Sequence, residues 1–240
     1  MATFVLLHGA WHGGWCWAET AAILRARGHA VTTPTQTGLG ERAHLLSPDI
    51  TLETFVQDLT AHLDFEDLRD VVLAGHSFGG NAVSGAAERR PERLRRLVYL
   101  DAQLVQGGET PHACSPPERR AAREAASLAH DGGLSLPPPT AVEMGVLDPA
   151  RGAALEARLV PHPWRTHVTP LPIEGPPGGA LPKVYVRATD PAYRPLDWAL
   201  ERARAAAWRI EEIASGHDCM WAAPTATADL LEAEARRSDP

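Results

Sequence analysis

The pentapeptide Gly75-His76-Ser77-Phe78-Gly79 limits what this chain can fold into more than any other stretch. It follows the apolar run Val71 to Ala74. It precedes Asn81 to Arg90, which has helical periodicity and is stopped by Pro91. Strand, sharp turn and helix form the context in which G-x-S-x-G has a mechanical meaning. A strand that turns abruptly into a helix forces the turn residue into a strained conformation. Glycines on both flanks remove the side chains that would clash there. The serine hydroxyl then stands at the C-terminal edge of a sheet and at the start of a helix. A glycine-rich turn with an incidental N-capping serine looks the same in isolation, so the partners of Ser77 decide its meaning.

The rest of the chain supplies a sheet for that turn to sit on. Phe4 to Leu7, Ala30-Val31 with the following threonines, Val71 to Ala74, Leu97 to Leu100, Val184 to Arg187 and Trp208 to Ile213 read as strands. Between them Trp17 to Arg27, Leu52 to Leu63, Asn81 to Arg90, Leu196 to Ala206 and Thr225 to Ala235 read as helices. Such alternation gives βαβ units and a mostly parallel sheet flanked by helices. The texture changes at residues 103–182. Most of the 21 prolines fall there, including the run at 137–139, with a possible helix from Glu118 to His130. This stretch reads as an insertion between two parts of one core, residues 1–102 and 183–240. No internal repeat is visible.

A serine hydroxyl is a weak nucleophile until a base takes its proton. Eleven histidines compete for that role. His217, in Ala214-Ser215-Gly216-His217-Asp218, follows the last strand and precedes the last helix, which puts it at the same sheet edge as Ser77. His29, His44, His62, His130 and His167 read as surface or loop residues. An acyl-transfer reaction also needs donors for an oxyanion. The N–H of Phe78 is one candidate. The other comes from His8-Gly9-Ala10-Trp11 after the first strand, through the N–H of Ala10.

Bulk properties exclude several alternatives. A formal net charge of −7 over 240 residues, without basic clustering, lacks the stripe that nucleic-acid binding needs. The three cysteines, Cys16, Cys114 and Cys219, form neither a disulfide framework nor a zinc motif. The N-terminal apolar run is too short for a signal peptide or a membrane span. The expectation is a soluble cytoplasmic protein, monomeric or homodimeric, acting on a small molecule without nucleic acid or membrane.

With these motifs in place the chain resembles the α/β-hydrolase superfamily. More narrowly it is similar to the group of small plant methylesterases, hydroxynitrile lyases and bacterial carboxylesterases. The matching stretches are FVLLHGAWHGGWCW, HAVTTPTQTGLGERAHL, LAGHSFGG, LVYLDA, ARLVPHPWRTHVTPL and IASGHDCMWAAP. The resemblance implies an α/β-hydrolase fold, a cap formed by residues 103–182, an acyl pocket beneath it, and neither metal nor organic cofactor. The lyases carry a threonine directly after the histidine of the first motif and a lysine directly after the catalytic histidine. Here those places hold Gly9 and Asp218, which argues for ester hydrolysis over cyanohydrin cleavage.

The acid that holds His217 has two candidates. Asp101 follows the strand ending in Val98-Tyr99-Leu100, and similar bacterial esterases share the YLDA stretch. Asp190, in the turn after Val184 to Arg187, is the rival, although it stands one place off the plant spacing relative to Pro195. Asp101 is preferred. For the substrate pocket the candidates are Gly9, Trp11, His76, Trp164 and Met220, while Trp15 and Trp17 read as core. No arginine cluster marks the mouth, so the expected substrate is a small to medium ester with a hydrophobic acyl or aryl part, cleaved with water through an acyl-enzyme. Amide, lactone or carbon–carbon cleavage by the same triad, and ligand binding on a hydrolase fold, are the alternatives.

Overall fold

The computed structural model describes residues 1–238. Its strands are β1 (Thr3–Leu7), β2 (Ala30–Thr32), β3 (Val71–His76), β4 (Leu94–Leu100), β5 (Ser135–Leu136), β6 (His162–Pro163), β7 (Lys183–Ala188) and β8 (Arg209–Ile213). The helices are α1 (Ala18–Ala26), α2 (Leu52–Phe65), α3 (Gly80–Arg89), α4 (Pro117–Asp131), α5 (Pro149–Glu156), α6 (Arg165–Val168), α7 (Asp197–Ala205), α8 (Cys219–Ala222) and α9 (Pro224–Arg236). Six strands form a fully parallel sheet in the order β2-β1-β3-β4-β7-β8.

The uninterrupted apolar runs of these strands follow from burial on both faces. Successive residues alternate between two cores, as period-2 geometry requires. Val5, Leu7, Val71 and Leu73 pack with Phe55 and Leu59 of α2, Val83 of α3 and Ala199 of α7. Phe4, Leu6, Val72 and Ala74 pack on the other face with Leu24 of α1 and Ala228 and Leu231 of α9. A capping box between Thr51 and Thr54 fixes where α2 begins.

The chain runs from β1 to one side of the sheet and then crosses back to β3 on the other. The strand order therefore reverses between β1 and β3. In an open parallel sheet this opens a crevice beyond the C-terminal ends of those two strands. The loops carrying Ala10 and Ser77 both start there, and Leu7 pairs in register with Gly75.

Between β4 and β7 the chain makes α4, α5, α6 and the two-stranded antiparallel pair β5-β6. Three hydrogen bonds tie this segment to one residue of the β1 loop. Trp11 donates its indole N–H to the Leu136 carbonyl at 3.0 Å and its backbone N–H to His162 Nδ1 at 3.4 Å. Its carbonyl accepts the Val160 N–H at 3.0 Å. A second contact joins Gly145 to Gly216, where a Cβ on Gly216 would lie 2.2 Å from the Gly145 carbonyl oxygen.

The observed elements extend the sequence reading in places. β4 begins at Leu94 and carries Arg95 and Arg96 inside a strand that its apolar run alone starts at Leu97. Arg96 is buried there beside Glu234 of α9, so a charge pair takes the place of an apolar contact. The short elements β5, β6, α5, α6 and α8 are too brief to show a period and were not expected from the sequence. Among the described residues no helix is long and apolar enough to cross a membrane.

Candidate active site

Ser77 opens the turn between β3 and α3 with φ +51, in the left-handed region that a side chain rarely adopts. Such a residue stores roughly 1–3 kcal/mol of strain, which the surroundings must hold in place. The flanking glycines show why. A Cβ on Gly75 would lie 2.5 Å from Val83, and one on Gly79 would lie 2.5 Å from the His8 carbonyl oxygen. The Gln103 N–H donates to the Ser77 carbonyl at 2.9 Å and fixes the turn from the β4 side.

The structure brings His217 and Asp101 to this serine and leaves Asp190 away from it. His217 Nε2 lies 2.9 Å from Ser77 Oγ, and His217 Nδ1 lies 2.7 Å from Asp101 Oδ2. A carboxylate accepts only, so the imidazole N–H faces Asp101 and the bare Nε2 is left to accept the serine proton. Asp101 is fully buried at the end of β4, with φ +41. Its N–H donates to the Val186 carbonyl at 2.7 Å, and its second oxygen accepts Arg187 at 3.2 Å. Asp190 is exposed beyond β7. Its N–H donates to the Ser215 carbonyl, and its side chain borders an outer groove beside Gly145 and Gly216.

A narrow cleft opens over Ser77. Ala10, Trp11, Phe78, Tyr193, Pro195 and Leu196 supply its apolar side, and Gln103, Ser115, Arg123 and His167 its polar side. Both residues expected to offer oxyanion donors, Ala10 and Phe78, therefore border the same space as the serine. Tyr193 stacks on the His217 ring at 4.0 Å with an interplanar angle of 20°. Arg119 of α4 donates to its hydroxyl at 2.8 Å.

Several expected pocket residues stand one layer deeper. A Cβ on Gly9 would meet Ser77 Cβ at 2.8 Å and His76 Nδ1 at 2.9 Å, so Gly9 lets the β1 loop close against the serine turn. His76 is buried beneath His217, and its Nε2–H donates to the His217 carbonyl at 3.0 Å. Burial, followed by the charge of neighbouring His217, pushes His76 well below the ordinary histidine range and keeps it neutral. Met220 is fully buried in the core on the α1/α9 face. Trp164 packs against His112 and His167 and backs the cleft from behind. Of these candidates Trp11 faces the cleft.

Asp218, beside His217, is fully buried. Its Oδ2 accepts His12 Nε2–H at 3.0 Å, and its Oδ1 lies 3.6 Å from His76. Burial works against its charge, but His12 outweighs burial and holds the carboxyl at about 2. Burial likewise opposes charge on His12, and Asp218 overcomes it and raises the imidazole above its usual value. A buried ion pair therefore anchors the loop that carries His217. Among the described residues His76, His217 and Asp218 offer metal-type donor atoms within 4.8 Å of one another. Ser77, Asp101 and His12 already use the nitrogens of His217 and one oxygen of Asp218.

Sequence reading missed Tyr193, Gln103, Ser115 and Arg123, and it read His167 as a surface or loop residue. Gln103 and Tyr193 lie just past strands that were read correctly, and that position is the one signal they carry. His167 is 1% exposed. Arg123 comes from a helix whose pattern shows an exposed charged face and nothing of what lies beneath it.

This geometry coincides with sequence kinship. Residues 4–230 match the model of the "Alpha/beta hydrolase family". The chain belongs to that family. Within it, the carbendazim hydrolyzing esterase of Nocardioides sp. (strain SG-4G) is 39% identical over 243 residues, covering 97% of this chain and 99% of its own. Methylesterase 1 of Arabidopsis thaliana is 37% identical over 110 residues, covering 45% of this chain, and the chain spans 42% of that relative's length. An extracellular alpha/beta-hydrolase from a Paenibacillus species, described as sharing structural and functional homology with tobacco salicylic acid binding protein 2, superposes with a TM-score of 0.83. It is 25% identical and covers 99% of this hydrolase and 100% of its own chain. A pyrethroid hydrolase from Sphingobium faniae JZ-2 has the same fold, with a TM-score of 0.71 and 22% identity. The family and its esterase-named relatives are consistent with a carboxylic ester hydrolase.

Proposed function

We propose that this hydrolase is a serine carboxylesterase in which Ser77 is the nucleophile, His217 the general base and acid, and Asp101 the residue that orients His217. The observation that carries the reading is the line of two hydrogen bonds, 2.9 Å from Ser77 to His217 and 2.7 Å from His217 to Asp101. It joins three residues far apart in sequence at one sheet edge. The chain-wide likeness to an esterase supports the same reading.

In the proposed reaction Ser77 Oγ attacks the ester carbonyl as His217 Nε2 takes its proton. The carbonyl oxygen, now negative, accepts from the backbone N–H groups of Ala10 and Phe78. His217 returns the proton to the departing alkoxide, which leaves as alcohol. Water enters, gives its proton to the same nitrogen, and frees the acid and the serine. Asp101 accepts from Nδ1–H and holds the imidazole in the tautomer that this sequence needs. Arg187 in turn holds Asp101. Residues 103–182 serve as the cap and close the cleft. Its apolar side suits an acyl or aryl group of small to medium size.

A fluorophosphonate probe tests this directly. The folded protein is expected to take the label at Ser77 and to hydrolyse a series of p-nitrophenyl esters, and Ser77→Ala to do neither. Folded wild-type protein that stays unlabelled and inert toward every ester of the series overturns the reading.

A further inference from the structure

The polar side of the cleft holds groups that ester chemistry at Ser77 does not use. α4 sends in Arg123, whose nearest hydrogen-bonding partner is Ser115 Oγ at 3.5 Å. Other arginines at packed positions meet acids: Arg187 meets Asp101 and Asp197, and Arg202 meets Glu109. Arg123 is half-buried, and among the described residues no carboxylate pairs with it. The acids nearby are otherwise engaged or exposed. Glu143, in the outer groove, accepts the N–H and hydroxyl of Thr140, and Glu124 is exposed to solvent. Burial and the neighbouring charge of Arg119 pull the Arg123 guanidinium down to about 10, so it is still a cation at neutral pH.

A second group independently points into the same space. His167 is buried against Phe78, at 4.7 Å between rings, and neither of its ring nitrogens has a partner. Burial, with the neighbouring rings and arginines, keeps it neutral, so it offers one N–H donor. An unpaired buried donor and a half-buried cation without a counter-charge each cost stability. Both costs vanish when an anion occupies the cleft. Trp11 and Arg123 also border a second groove that opens outward past Pro137 to Pro139. The guanidinium thus stands where a ligand passes from solvent toward Ser77.

We infer that Arg123, the Ser115 hydroxyl and the His167 imidazole form an anion subsite that receives a carboxylate carried by the substrate ester. The inference rests on the esterase reading and narrows it to half-esters of dicarboxylic acids. The guanidinium matches a carboxylate through two parallel N–H bonds. Ala10, Trp11, Phe78 and Leu196 line the same cleft, so the part of the ligand between that carboxylate and the ester meets apolar side chains.

The test uses monomethyl esters of dicarboxylic acids graded from glutaric to suberic, each against the methyl alkanoate of equal length. At one length in the series the wild-type enzyme is expected to favour the acid half-ester by about tenfold or more in kcat/KM, mostly through KM. Arg123→Gln removes this preference and Arg123→Lys retains part of it. Because both substrates are compared on one preparation, loss of folded protein cancels in the ratio. No preference in the wild type, or a preference that survives Arg123→Gln, overturns the subsite. Calorimetric binding of the half-ester to Ser77→Ala protein, and its loss on adding Arg123→Gln, reads the subsite without turnover. It thereby separates failure here from failure of the esterase reading.

Discussion

The two sides of the cleft are held in place by different means. On the sheet side Ser77 and Asp101 directly follow parallel strands and His217 lies in the loop beyond β8, and hydrogen bonds to their backbone groups fix each one. Gln103 N–H holds the Ser77 carbonyl, Asp101 N–H reaches Val186, and His76 holds the carbonyl of His217. On the side of the proposed cap Arg123 comes from α4, Ser115 from the loop before it and His167 from the short α6, held to the sheet by side-chain and loop contacts rather than by a strand ladder. In the proposed reaction, bond-making between Ser77 and a carbonyl tolerates little displacement, and a rigid ladder supplies that precision. Recognition of a substrate's far end tolerates more. The difference teaches that substitutions on the sheet side should act on turnover, and those on the cap side on selection.

The sharpest way to break this division is at Ser77. Ser77→Ala is expected to lower kcat on a p-nitrophenyl ester by about 10⁴-fold or more, with a melting temperature close to wild type. Asp101→Asn should cost about as much, roughly 10⁴-fold, because the amide presents the wrong group to His217 Nδ1. Asp190→Asn, at an exposed turn, should leave the same steady-state assay within about threefold of wild type. The reverse order of these two variants would move the orienting acid to the other strand.

The buried pair beneath His217 sharpens the comparison through stability. Asp218→Asn leaves His12 buried without its counter-charge, and denaturant unfolding should show a loss of about 3–5 kcal/mol. The pH dependence carries the sign. Asp218 is held at about 2 in the fold, below an unfolded carboxylate. Its contribution is complete above the unfolded value near 3.9 and disappears as pH falls toward 2. His12 is raised in the fold, so its contribution is complete below about 6.5 and is lost as pH rises through the folded value. Both slopes should be absent from unfolding curves of Asp218→Asn. A smaller effect than at Ser77 or Asp101 is expected at Tyr193. Tyr193→Leu removes the stack on His217 and should lower kcat about tenfold, since it loosens the ring while both of its hydrogen bonds survive.

Legibility in the sequence follows the same division. The strand, turn and helix around Ser77 are local, and so is the placement of His217 between the last strand and the last helix, so periodicity and glycine spacing revealed both. Asp101 and Asp190 both follow strands, and no local pattern separates them. The left-handed turn at Asp101 and its bond to Arg187 exist only in the folded sheet. His76, Gly9 and Met220 were expected at the pocket because they neighbour motif residues. In a strand adjacent side chains point to opposite faces, and in a helix to different sides, so adjacency in sequence put them one layer down. Arg123 and His167 had no local signal at all. Their meaning comes from a cap contact more than 100 residues from the β1 loop.

Trp11 ties that loop to the cap through both of its backbone polar groups and its indole. The residue just before it, Ala10, borders the cleft above Ser77. Peeling the cap away to admit a ligand would therefore strip three bonds from the loop and unsettle the amide next door. Entry through the groove past the three consecutive prolines leaves those bonds intact, so the Ala10 amide would keep its proposed place as an oxyanion donor while the cleft fills and empties.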